Sequence, residues 1–143
     1  MALNTAPIYS GVGDIQWGNA ALVISNPSFE ASGSGLVTVF TASLSGSFVQ
    51  RVRFKASGST TATVARIFIA NAGTPSTGSN VVLFDEVTLA AVTVSTTAAS
   101  TVYEVPMNIA LPASYKIVVT TAVTQATGGW YVSAVGGSYT TPA

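Results

Sequence analysis

Apolar and polar side chains alternate most sharply over Val49-Gln50-Arg51-Val52-Arg53-Phe54-Lys55-Ala56. Successive side chains of a strand point to opposite faces, so Val52, Phe54 and Ala56 share one face and Arg51, Arg53 and Lys55 the other. Shorter runs rich in Val, Thr, Ile and Phe recur along the chain, parted by clusters of Gly, Ser, Asn and Pro. Val and Thr are stiff at χ1 and favour pleated surfaces, and this spacing is the pattern of an all-β sandwich or barrel. Strands are predicted over residues 20–25, 36–42, 48–56, 61–70, 81–89, 102–111, 115–122 and 130–135. About eight strands is the count of a jelly roll or a related Greek-key sandwich. The predicted fold is therefore an antiparallel, jelly-roll-like β-sandwich. Ser57-Gly58-Ser59-Thr60 reads as a hairpin link, and residues 71–80 hold the longest loop signal. Residues 91–101 read either as a short strand and loop or as a connection crossing between sheets.

The first 19 residues break this pattern. Pro7, Gly11, Gly13 and Gly18 separate the isolated apolar anchors Ile8, Tyr9, Val12, Ile15 and Trp17. Such a segment is too apolar for a solvated tail and too rich in Gly for a helix. Two readings remain open: an extended arm lying on a neighbouring subunit, or simply the first strand and loop of the sandwich. We divide the chain into an N-terminal arm, residues 1–19, and a β-sandwich domain, residues 20–143.

Composition sharpens the picture. Only 7% of the 143 residues are charged, five basic and five acidic, against roughly a quarter in ordinary soluble domains. Mean hydropathy is +0.53. So few charges leave a free globule poorly guarded against association, so its exterior is expected to be shielded by copies of itself or by a larger assembly. A zero net charge argues against a nucleic-acid partner, whose binding rests on Lys and Arg neutralising phosphates. No apolar run approaches the ~20 residues of a spanning helix, the aromatic girdles of a membrane barrel are missing, and no secretory leader is visible, so no membrane partner is expected.

Candidate chemistry is sparse. Without Cys or His, thiolate catalysis and the commonest base and metal ligand are gone. Asp85 and Glu86 are adjacent and so project to opposite faces of a strand. For these carboxylates, salt bridges to Arg66 or to the basic strand face are the preferred reading over a glycosidase pair. A Ser or Thr nucleophile would have only Lys55 or Lys116 as base, and neither sits in a recognisable motif. No enzyme activity, cofactor or metal is expected. Trp130 reads as core filler. The basic face of Arg51, Arg53 and Lys55 is either a solvated exterior or a cationic stripe for an acidic partner.

Five segments carry a resemblance: residues 53–58 (RFKASG), 63–69 (TVARIFI), 83–89 (LFDEVTL), 104–112 (EVPMNIALP) and 130–137 (WYVSAVGG). Across roughly two-thirds of the chain they are similar to proteins encoded among the head genes of tailed bacteriophages. The resemblance implies a capsid decoration or cement protein, a trimeric jelly roll bound to the major capsid protein on the outside of the virion. The candidate interface residues are Ile8, Tyr9, Ile15, Trp17, Arg51, Arg53 and Lys55. A glycan-binding module of a tail or fibre, using Trp130, Tyr131 or other exposed aromatics, is the alternative.

Overall fold

The structure is a computed structural model, and it describes residues 10–19 and 21–139. Eight strands run β1 Ser10–Trp17, β2 Val37–Thr41, β3 Ser47–Ala56, β4 Thr63–Ala70, β5 Val81–Leu89, β6 Val102–Leu111, β7 Lys116–Thr121 and β8 Trp130–Tyr139. They form two four-stranded antiparallel sheets: sheet A in the order β1-β8-β3-β6, and sheet B in the order β2-β7-β4-β5. The pairing is nested: β1 with β8, β2 with β7, β3 with β6 and β4 with β5. The chain is thus one long antiparallel hairpin rolled on itself, with β3–β8 and β4–β7 contacts completing the sheets. This is the jelly roll that the strand count suggests.

Alternation explains the core. The inward residues Val49, Val52, Phe54, Trp130, Val132 and Ala134 of sheet A meet Ala65, Ile67, Ile117 and Val119 of sheet B, all buried. Trp130 packs its edge on Tyr103, with ring centroids 5.8 Å apart. The inward parity breaks between Val49 and Arg51, where the β3 register shifts against both neighbours. Opposite this bulge, Gly136 lies against the Phe48 carbonyl so closely that no Cβ would fit.

Three sequence expectations are corrected. The predicted strand at 20–25 holds only the isolated bridges of Leu22 to Trp130 and Ser25 to Thr121. The Ser57–Thr60 link is not a hairpin, because β3 lies in sheet A and β4 in sheet B. Its polar backbone is used instead in crossing: Ser57 N–H donates to the Gly129 carbonyl and Thr60 pairs with Val92. Residues 10–17 of the N-terminal segment are edge strand β1 of this chain's own sheet A, the second of the two readings. The opposed carbonyls and amides of β8 give this Gly-rich segment its order, with Ile15 across from Val135 and Trp17 across from Ser133.

Two further features shape the exterior. The Gln16 carboxamide donates to the Thr41 carbonyl and accepts from the Thr41 N–H, both at 2.9 Å. A side chain of sheet A thereby satisfies the backbone of sheet B's edge strand. The connection from β1 to β2 then folds over the outer face of sheet B, where Ala31 packs with Phe68, Ala70 and Val118 in a second apolar cluster. Ala31 is held at φ 50°, an uncommon conformation for a residue with a Cβ, and its methyl fills this cluster.

Candidate interaction surface

The outer face of sheet A gathers the sequence-predicted residues that the structure describes. Register sets them in three rows across the strands. Ile15 of β1 stands beside Val135, Arg51 and Pro106. Trp17 stands beside Ser133, Arg53 and Glu104, and Tyr131 beside Lys55 and Val102. Ile15, Trp17, Arg51, Arg53 and Lys55 therefore share one surface, while Ile8 and Tyr9 lie outside the described residues. Ile15 is 62%, Trp17 68% and Tyr131 59% exposed.

Exposure on this scale on one face is the unusual observation, since single surface apolar residues are ordinary but contiguous ones mark contact sites. The cations beside them are only partly neutralised. Glu104 Oε1 lies 2.8 Å from Arg53 Nε and 3.6 Å from Arg51 Nε. Neither Nε makes a well-directed hydrogen bond, so one carboxylate serves two guanidinium groups as a counter-charge and leaves both Nε donors unfilled, while Arg51 Nη1 donates to Gln50 Oε1 at 3.1 Å. Lys55 Nζ donates to the Ser100 carbonyl at 2.6 Å, which ties its stem along the face.

The carboxylates are engaged locally. Glu86 joins Arg66 at 2.8 Å and Glu104 joins the basic strand, as the ion-pair reading expects, and Asp85 accepts from the Glu86 N–H. Among the described residues no group of three His, Cys, Asp or Glu side chains could hold a metal. A shallow hollow of about 410 Å³ is lined by Ser25, Asn26, Pro27, Ser28, Ser32 and Ser34, without an acid or base. No described helix is long and apolar enough to cross a membrane.

Sequence reasoning offered Tyr131 as an exposed aromatic and set Arg51, Arg53 and Lys55 on one face of a strand, but did not join the two. The missing fact was strand order: only β8 lying between β1 and β3 brings the aromatic and cationic residues together.

No family description matches the chain, and no curated protein matches it. Among solved structures, one titled "Structure of infectious bursal disease virus Gx strain" is similar at 17% identity and a TM-score of 0.33. The match covers 97% of this chain but 36% of that one. A likeness this loose carries no argument, and function is read from the surface itself.

Proposed function

We propose that the protein is a structural component of a virus particle, a decoration or cement protein of a tailed-phage head. In this reading it works as a homo-oligomer, expected to be a trimer, on the outside of the shell formed by the major capsid protein. It performs no catalysis. The observation that carries the reading is the outer face of sheet A, where Ile15, Trp17 and Tyr131 stand exposed beside Arg51, Arg53 and Lys55. A flat face of that composition suits a protein neighbour: apolar area to be covered and charges to fix the approach. The scarcity of charge elsewhere and the similarity of five strand segments to phage head-associated proteins support the same reading.

Phage heads stripped of this protein should lose resistance to heat or osmotic shock and regain it on add-back. Failure of the purified protein to co-sediment with heads would end the proposal. The exposed rings of Trp17 and Tyr131 also favour a second reading, stacking on a sugar in a tail or fibre module. Quenching of Trp17 fluorescence by an oligosaccharide, without head binding, would move the assignment there.

A further inference from the structure

The ten charged side chains are unevenly divided between the two outer faces. Arg51, Arg53 and Lys55 against Glu104 leave an excess of two positive charges on the outer face of sheet A. On the opposite layer, Asp85 and Glu86 are exposed on β5, and Glu86 is paired with Arg66. Glu30 lies against Gly78, in the single-turn 3-10 helix Gly78–Asn80 that leads into β5. These three carboxylates against Arg66 and against Lys116 of β7 leave an excess of one negative charge on that layer, while Asp14 of β1, one residue out of step with Ile15, points away from the basic face and accepts from Gln16 and Ser138. A net charge of zero thus hides a molecule with a basic side and an acidic side.

Each side has its own exposed apolar residues. Ile15, Trp17 and Tyr131 accompany the cations, while Val82, 61% exposed, and Phe84, 42% exposed, precede Asp85 on β5. Strand β5 is also the outer edge of sheet B, with no strand on its far side among the described residues. From this placement we propose that the basic face of one copy docks on the acidic β5 edge of a second copy, a head-to-tail contact. Face-to-face pairing of two basic surfaces would oppose like charges, which is disfavoured, whereas the head-to-tail contact opposes unlike ones. The apolar residues supply the buried area and the charges select orientation. Such a contact is heterologous and produces a closed ring where the rotation between copies allows it. The inference goes beyond the capsid reading, since it holds or fails whatever the oligomer binds.

The test uses sedimentation velocity over a concentration series, with circular dichroism to confirm that each variant is folded. Arg53→Glu and Asp85→Lys are each expected to weaken self-association about tenfold or more, because each turns an attraction into a repulsion. The doubly substituted chain should recover association, since every contact then regains an unlike pair, and an equal mixture of the two variants should recover at least head-to-tail pairs, in which unlike copies alternate. A wild type that stays monomeric throughout would overturn the proposal. So would an Asp85→Lys variant that associates normally, including the case in which Arg53→Glu alone matters and the face pairs with itself or with a shell protein. Loss in both single variants without recovery in the doubly substituted chain would overturn it too. Head co-sedimentation, scored separately on the wild type, tells failure of the capsid reading from failure of this one.

Discussion

The two outer faces of the sandwich are treated in opposite ways. Sheet B's face is covered by the chain itself: the β1–β2 connection lays Ala31 over Phe68, Ala70 and Val118. Arg66 fastens that cover, donating to the Pro27 carbonyl at 3.1 Å and to Glu86 at 2.8 Å, with the Phe29 ring 4.1 Å from its guanidinium carbon. Among the described residues sheet A's face has no such cover and keeps Ile15, Trp17 and Tyr131 in the open. A covered face contributes to the stability of the single chain; an open one contributes only when another molecule arrives. Substitutions should therefore split cleanly between folding and association according to which face they touch.

The strongest challenge to this contrast is Phe68→Ala beneath the cover. Removing a fully buried phenyl should cost about 3–5 kcal/mol, read as a shift in the urea midpoint. A loss below about 1 kcal/mol, the scale of surface substitutions, would mean the cover is loosely packed and the two faces differ little. Arg66→Leu probes the fastening. It forfeits hydrogen bonds from a charged donor and should cost about 1.5–3 kcal/mol. Proteolytic cleavage within residues 27–36 should speed up in that variant, and an unchanged cleavage rate would show that the connection holds without it.

On the open face the expected effects on folding are small. Trp17→Ser should leave the stability of the monomer within about 0.5 kcal/mol while weakening self-association. A large loss of monomer stability would place Trp17 in the folding core after all. The smallest signal is optical. In dilute protein acrylamide should quench Trp17 and spare the buried Trp130, and raising the concentration should protect Trp17. Equal quenching at all concentrations would mean that nothing covers this face in solution.

Much of the fold was legible because strands 3 to 8 carry their pattern locally. Val81–Leu89 and Val102–Leu111 lie where alternation and turn residues put them. The first strand was harder to read: Ser10–Trp17 holds two Gly and no inward apolar stripe. Its order comes from pairing with β8, more than a hundred residues away, a long-range cause that local propensity does not register. Leu22 failed in the reverse sense. It is buried, yet it belongs to a connection that touches Trp130 through one bridge, so an apolar run there mimicked a strand. The candidate surface was half legible. Parity assigned Arg51, Arg53 and Lys55 to one side of β3, but the neighbours of that side follow from strand order. The acidic β5 edge was seen only as adjacent carboxylates, because its significance lies in being opposite the basic face.

The nested pairing also has a consequence in time. The innermost hairpin, β4 with β5, closes over few residues, whereas β1 must wait for β8. Loop-closure entropy is lost before such distant pairs form, so folds of this kind mature in milliseconds to seconds rather than microseconds. Trp130 sits in the last strand and is fully enclosed only when sheet A is complete. During synthesis the apolar inner face of the early strands therefore stays open until β8 has emerged, an interval in which unpaired strand edges favour misassociation.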